Sequence, residues 1–357
     1  MNILHTQTLF NWGGEQNKTL NEMRFMRKIG HNVILFCNPN SQIESIAKEE
    51  DFSVIAQEMN KKNFHKSVPV LCEAISSNKI DIVITHGSTD SWVGAIAGLF
   101  YRKRGVKFYK ERHNLFPIKG FLSKLMYKRL FDKILYISDS VKEYLLSIGV
   151  SEDKLVFMPS TVDVEAIDDT KSTFRDKFNI SQDELVIGTF TSLYRKKGVY
   201  DFANAAKEIL KEKDATIVFA GNISESIKNE IASIFSKKDK IIFTGFRNDA
   251  ANVIKSFDIY VFASHSEGLG TVLLEAMSSK VPVVVYDNAP MNVLVKDKER
   301  GLCARNLDEI SLKECILELI NEPEKAKIYS QNAFKFVDEN FSHKALKEAI
   351  KNLLEQK

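Results

Sequence analysis

Short apolar runs alternate along the chain with longer stretches whose apolar positions recur at helical spacing, an order that predicts parallel α/β architecture. In the first half the runs are NILHTQ (2–7), NVILFCN (32–38), FSVIAQ (52–57), DIVITHG (81–87), KFYKER (107–112), KILYIS (133–138) and KLVFMPS (154–160). Seven strands with helices between them predict one doubly wound domain. The polar stretch TVDVEAIDDTKSTFRDKFNISQDE (161–184) reads as a linker leading into a second domain. Strands are expected there at LVIGTF (185–190), ATIVFAG (215–221), KIIFTGF (240–246), DIYVFA (258–263), VPVVVYD (281–287) and GLCA (301–304), with the last helices after Pro323. No internal repeat or low-complexity tract interrupts the pattern.

The most informative stretch is SHSEGLGTVLLEAM (264–277), a Gly-rich turn between the apolar DIYVFA run and a helix beginning near VLLEAM. Backbone N–H groups of a first helical turn have no intrahelical partner and sit at the positive end of the helix dipole, so an anion is expected over Leu269, Gly270 and Thr271. Gly268 and Gly270 keep side chains out of its way. Two carboxylates flank this position: Glu267 in the turn and Glu275 eight residues later, about two helical turns on. Such a pair suits a ligand with a phosphate middle and hydroxyl-rich ends, Glu275 holding a ribose and Glu267 a sugar ring.

This Glu-x7-Glu spacing, with EGLG before it and SSKVPVVVYD after, resembles the motif of retaining glycosyltransferases of family 4. The resemblance implies a GT-B fold: two facing Rossmann-like domains with parallel sheets and an inter-domain cleft. It further implies an N-terminal acceptor-side domain (1–165), a C-terminal nucleotide-sugar domain (166–335) and a terminal helix (336–357) crossing back to the first domain.

Other segments are similar to the family in turn. FNWGGEQNKT places Gly13 and Gly14 at a strand-to-helix turn, like the W-G-G loop that faces the donor phosphate and the acceptor. The run is not G-x-G-x-x-G, so a dinucleotide reading is disfavoured. His86 and His113 follow the fourth and fifth strands, where ligands bind in open α/β sheets. For His86 a structural role is as good a reading. His113 resembles the histidine that lies close to the reacting sugar, and Arg112 beside it suits an acidic or phosphorylated acceptor group. Lys197-Gly198 resembles the element whose lysine neutralises the donor diphosphate. The arginine usual five residues earlier is replaced by Ser192, leaving Arg195 and Lys196 as substitutes. Asn292 stands where relatives often carry an acid, which leaves the sugar specificity harder to read.

Composition is that of an ordinary globular enzyme, and 357 residues suffice for two domains. Four scattered cysteines without C-x-x-C spacing suggest buried thiols in a reducing cytosol rather than zinc or a disulfide framework. The chain opens on a strand-like segment and has no apolar run near a membrane span, so a cytoplasmic location is expected. Charge adds one feature. The overall balance is +3, yet residues 102–133 hold eleven Lys or Arg against Glu111 and Asp132, a local +9 that leaves the remainder at −6. Within it, IKGFLSKLMYKRLFDKI spaces Phe121, Leu122, Leu125, Met126 and Leu130 as on a helix, with Lys124, Lys128 and Arg129 interleaved. A helix packing its apolar face on the sheet would show this pattern, and so would one resting on an anionic membrane.

Taken together, the residues and the resemblance predict a metal-independent, retaining glycosyltransferase moving a sugar from a nucleotide-diphosphate sugar, with a UDP-sugar favoured. The acceptor is expected to be a glycan or glycolipid of cell-surface polysaccharide or lipopolysaccharide assembly. His113, Lys197 and Glu267 are the expected catalytic residues. Gly13, Gly14, Arg195, Gly268, Leu269, Gly270, Thr271 and Glu275 are expected on the donor, and His86, Arg112, Lys124, Lys128 and Arg129 on the acceptor side. No cofactor or metal is expected, and contact with the inner face of the membrane would be peripheral. Two other classes compete. A nucleotide-sugar epimerase of the same fold would act on donor alone. A nucleic-acid-binding protein would use the basic stretch but would leave the paired glutamates idle and lacks interleaved stacking aromatics.

Overall fold

Each of the thirteen apolar runs becomes a strand in a computed structural model of the chain, which describes residues 1–11, 13–60 and 62–355. In the first unit these are β1 (Asn2–Gln7), β2 (Asn32–Cys37), β3 (Ser53–Ala56), β4 (Ile82–Thr85), β5 (Lys107–Arg112), β6 (Lys133–Tyr136) and β7 (Leu155–Phe157). They form one sheet in the order β3-β2-β1-β4-β5-β6-β7 with every pairing parallel. In the second unit β8 (Val186–Phe190), β9 (Thr216–Ala220), β10 (Lys240–Phe243), β11 (Ile259–Phe262), β12 (Val283–Tyr286) and β13 (Leu302–Ala304) take the order β10-β9-β8-β11-β12-β13, again all parallel.

The strands read as unbroken apolar runs because helices cover the sheets, so both faces of a strand are buried. IVIT in β4, IYVF in β11 and VVVY in β12 are buried throughout. In the second unit, the helix Val199–Ile209 turns Val199, Phe202, Ala203, Ala206 and Ile209 inward at helical spacing, onto Ile217 and Phe219 of β9. Each large side chain so buried contributes roughly 1.5–3 kcal/mol.

The first unit comprises residues 1–160 and the segment from Leu346, and the second Thr161–Ala345. Leu346, Ile350 and Leu353 of the last helix, His343–Glu355, lie in the core of the first unit with Ile3, Leu35 and Ile84. The polar stretch 161–184 is not a plain linker. It folds into the helices Val164–Asp169 and Phe174–Lys177, with Phe174 fully buried in a sequence otherwise polar enough to look unstructured. Among the cysteines, Cys37 is buried and the other three are half-buried.

In both sheets the strand order reverses beside the first strand of the unit, between β1 and β4 and between β8 and β11. Ligands bind at such switch points, beyond the carboxyl ends of the strands. The observed strands stop short of His86, Gly87 and Ser264, so these residues open the loops at the two switch points.

Candidate functional site

In the second unit two loops meet at the β8/β11 switch point. The first carries Arg195–Lys197 and Gly198, the second Ser264–Gly270. They are joined by a hydrogen bond from the His265 N–H to the Lys196 carbonyl at 3.0 Å. Gly198 adopts φ +66°, and a Cβ there would stand 1.8 Å from the Ala263 carbonyl oxygen, so only glycine permits this approach. The helix Thr271–Ser278 starts from Gly270, which has φ +76°. Leu269 is buried while Thr271 is exposed at the helix start, leaving the first-turn N–H groups at the position the sequence predicts for an anion.

Lys197 and Glu267, seventy residues apart, form an ion pair here, with both side chains largely shielded. A cation for the anion site is thus already held at its edge. Burial pushes the Glu275 carboxyl up to about 7. Its charge also helps to raise the pKa of the buried Tyr260 hydroxyl, although burial is the larger cause there. Arg195 is exposed and lies over the Tyr200 ring at 4.2 Å rather than in an ion pair of this loop. Beside the loops, Asp201 accepts from the Tyr286 hydroxyl at 2.9 Å and faces His265 Nε2 at 2.9 Å, a bracing pair that nothing in the sequence pattern suggests. Asn292 donates to Asp287 at 2.8 Å, so an acid does stand near that position.

In the first unit the loops after β1, β4 and β5 enclose a cavity of about 400 Å³ lined by Glu15, His86, Trp92, Lys110, Arg112 and His113, among others. Strand β5 carries Lys110 and Glu111 in its buried part, where charged groups occur only when paired. The Lys110 ammonium donates to the carbonyls of His86 and, at 3.0 Å, Gly87. Asp90 fixes the same turn by accepting from the N–H groups of His86 (2.9 Å) and Gly87 (3.0 Å).

Glu111 pairs with the Lys18 ammonium, which also pairs with Glu22 one helical turn along. His86 Nδ1 lies 3.1 Å from Glu111 Oε2, and His113 Nε2 lies 3.7 Å from the same oxygen. Burial raises the Glu111 pKa, but Lys18 and the imidazoles outweigh it and hold the carboxyl well below the usual range. Burial, reinforced by Glu111, pushes Glu22 up to about 7. His5 and His113 are held well below the ordinary histidine value, chiefly by burial. Glu15 is raised by burial against the opposing pull of Lys110.

The ring atoms of His86 and His113 and a Glu111 oxygen are close enough to bracket a small ion, as are His5, Glu22 and His86. One cation, the Lys18 ammonium, already sits between Glu111 and Glu22. With Lys110 and Arg112 on its wall and Trp92 beside them, the cavity suits a hydroxylated or anionic ligand.

Gly13 and Gly14 flank the start of the helix Gly14–Lys28, in conformations open to any residue. A Cβ at Gly13 would make only ordinary contact and one at Gly14 would meet nothing within 4 Å, so the fold itself does not require glycine there. Trp12, the first residue of the WGG loop, lies outside the described residues. Arg112 is half-buried and donates to the Tyr127 hydroxyl at 3.4 Å and to the Phe116 carbonyl.

The basic helix, Phe121–Arg129, corrects the expectation of one apolar face. Met126 and Tyr127 turn inward, whereas Phe121 and Leu122 are 77% and 66% exposed and Leu125 is also exposed. Phe116, just before it, is 76% exposed. Lys124 and Arg129 are exposed with them, and Lys128 is half-buried with its ammonium close to Gly149. Packing on the sheet therefore does not account for this apolar stripe. No helix among the described residues is long and apolar enough to cross a membrane.

Lys18, Glu22, Lys110 and Glu111 were missed as site residues. A Lys-Glu pair inside a predicted buried strand, and Lys18 and Glu22 at i, i+4 spacing, were the available signals.

Residues 12–166 match the model of Glycosyltransferase Family 4, and residues 170–336 match that of Glycosyl transferases group 1. The chain is similar to the UDP-Gal:alpha-D-GlcNAc-diphosphoundecaprenol alpha-1,3-galactosyltransferase of Escherichia coli, at 24% identity over 98% of this chain and 96% of that one. It is also similar to the N,N'-diacetylbacillosaminyl-diphospho-undecaprenol alpha-1,3-N-acetylgalactosaminyltransferase of Campylobacter jejuni, at 26% identity over 88% and 84% of the respective chains. Among solved structures, a glycosyltransferase from Rickettsia africae superposes with TM-score 0.89 at 20% identity, covering 100% of this chain and 99% of that one. HepE of Anabaena in complex with UDP and glucose superposes with TM-score 0.81 at 16% identity, covering 99% of each. At these identities the structures establish a shared GT-B fold.

Proposed function

This chain belongs to the glycosyltransferases, family 4 in its N-terminal part and group 1 in its C-terminal part, and we propose that it transfers the sugar of a UDP-sugar to a lipid-linked diphosphate saccharide, releasing UDP. The observation that carries the donor reading is the Lys197–Glu267 pair beside the helix start at Thr271. The donor diphosphate takes the first-turn N–H groups of Leu269, Gly270 and Thr271 and draws Lys197 toward it. Glu267, released from the ion pair, accepts from hydroxyls of the sugar, and Glu275 accepts from the ribose diol. Negative charge grows on the diphosphate as the glycosidic bond breaks, and donors and cations already in place stabilise it without reorganisation. These fixed charges take the part a divalent ion would otherwise play.

Glu267 and Glu275 lie on one loop and one helix of one unit, which suits gripping a donor better than the opposed acid and nucleophile of a retaining glycosidase. Retention then follows from front-face attack, with the leaving phosphate taking the acceptor proton. On the first unit, the cavity with Arg112, Lys110 and His113 recognises the acceptor. The acceptor class rests on the two bacterial relatives, both named for transfer to diphosphoundecaprenol-linked sugars. The exposed Phe116, Phe121, Leu122 and Leu125, with Lys124 and Arg129, favour peripheral contact with an anionic membrane, where such an acceptor resides.

A thermal-shift screen of UDP, GDP, ADP and the common UDP-sugars tests this function. A ligand that binds only the folded state stabilises it by roughly 2.7 kcal/mol at a hundred times its dissociation constant. A rise with UDP and a larger one with a single UDP-sugar is expected. Equal responses to all nucleotides, or to none, would refute the donor assignment.

A further inference from the structure

Three imidazoles stand in series from the core to the first-unit cavity, which His86 and His113 line. His5 Nδ1 is 3.0 Å from His86 Nε2, and His86 Nδ1 is 3.0 Å from His113 Nε2. Their rings stack at 5.3 Å, tilted by 17° and 21°. An ionised carboxylate can only accept hydrogen bonds. Glu111 is ionised against Lys18, so the His86 nitrogen 3.1 Å from its Oε2, Nδ1, carries the proton. His86 Nε2 meets His5 Nδ1, and His5 Nε2 in turn lies 3.3 Å from the Met26 sulfur. On the other side, the His86 Nδ1–H leaves no room for a second hydrogen at 3.0 Å, so His113 Nε2 is bare as well. The one proton of neutral His113 therefore sits on Nδ1, on the side of the ring away from Glu111. His5 and His113 are both held neutral, chiefly by burial.

We propose that Glu111, acting through His86, is a positioning residue that locks His113 in the Nδ1–H tautomer and so makes it a hydrogen-bond donor to the ligand rather than a general base. The proposal rests on the reading that His113 faces substrate. It deepens that reading by assigning what His113 does there: it donates to a sugar hydroxyl or phosphoryl oxygen, and the acceptor proton must leave by another route. Lys18 and Glu22 complete the device, because Lys18 keeps Glu111 ionised in a place where burial alone would protonate it. A carboxylate hydrogen-bonded to one nitrogen of an imidazole fixes which nitrogen carries the proton, and here that choice is passed one ring further.

The test needs no substrate. The full chain, labelled with 15N-histidine, is examined by long-range proton–nitrogen correlation from pH 5.5 to 8.5; seven histidines keep the spectrum tractable. His5→Gln, His86→Gln and His113→Gln assign the signals. The expected spectrum shows a proton on Nδ1 of both His86 and His113, with His113 neutral and not titrating across the range. In Glu111→Ala, His86 is expected to give up its Nδ1 proton, and His113 to move to Nε2–H or begin to titrate. A wild-type His113 protonated on Nε2 would overturn the proposal, and this result does not depend on whether any variant folds. Unchanged His86 and His113 signals in a folded Glu111→Ala would overturn it equally. Because the readout is the tautomer, a failed UDP screen with this spectrum present would count against the donor assignment alone.

Discussion

Glu275→Gln separates the cost of holding this carboxyl in the folded chain from its use in binding. Burial raises the Glu275 pKa from 4.5 to about 7, and each tenfold change in a proton-binding constant corresponds to about 1.4 kcal/mol. Below pH 4.5 the group is protonated in both folded and unfolded chains and contributes no pH dependence. Between 4.5 and 7 the unfolded chain has lost the proton that the folded chain keeps, so stability falls as pH rises; above 7 the full penalty, on the order of 3 kcal/mol, is present. Glutamine cannot ionise and escapes it. The expected result is a fixed offset between the melting of the Glu275→Gln variant and that of the wild-type chain near pH 4.5. By pH 8 the offset should have moved in favour of the variant by up to about 3 kcal/mol. Calorimetric midpoints of the two proteins across that range read this directly. Ribose hydroxyls donate hydrogen bonds and so favour the ionised form. UDP binding near pH 6.5 should therefore release a fraction of a proton, visible as a binding enthalpy that depends on the buffer's ionisation enthalpy, and the variant should lose this release. Parallel pH profiles for the two proteins would refute the buried, proton-holding carboxyl. Proton release that survives in the variant would refute the ribose contact.

Glu275→Ala, which removes a charge-assisted partner worth roughly 1.5–3 kcal/mol, should weaken UDP binding about 10- to 150-fold by titration calorimetry. Lys197→Ala should lower kcat by roughly 100- to 1000-fold, more than it weakens donor binding, since charge on the diphosphate is greatest in the transition state; a raised KM with kcat unchanged would point to uniform binding instead. Replacing Arg195, stacked on Tyr200, with alanine should show a much weaker version of that effect. Gly198→Ala forces a Cβ against the Ala263 carbonyl and should lower the melting temperature and abolish UDP binding together, while Gly14→Ala, with open space around it, should leave stability within about 0.5 kcal/mol. Replacing Lys124, Lys128 and Arg129 with glutamine should weaken sedimentation with anionic vesicles at low salt, each cation contributing about 1 kcal/mol, while UDP binding persists; wild-type protein that stays in the supernatant at low and high salt alike would refute the membrane contact.

The alternation of apolar runs and helical spacing determined all thirteen strands, because the sequence distance between buried positions is a local property that each segment carries alone. The loop Ser264–Gly270 and the helix start at Thr271 were legible for the same reason: glycine, an acid and an apolar helical run lie within one short stretch. What the local pattern could not show was partnership across the sheet. Lys197 meets Glu267, and Lys18 of the first helix meets Glu111 of β5, only because a strand order that reverses beside β1 and β8 brings distant parts of the chain together. The basic stretch shows the same limit from the other side. Its helical spacing was right, yet the spacing could not say that Met126 and Tyr127 turn inward while Phe121, Leu122 and Leu125 face outward, because which face of a helix is buried is decided by what packs against it. The helices hidden in 161–184 were missed because a few scattered apolar residues, Val164, Ile167, Phe174 and Ile180, anchor a segment whose composition is otherwise polar. Segment type was therefore written locally, while the pairing of charges, the series of three imidazoles and the proton positions they imply arose only when the parallel sheets placed remote side chains within 3 to 4 Å of one another.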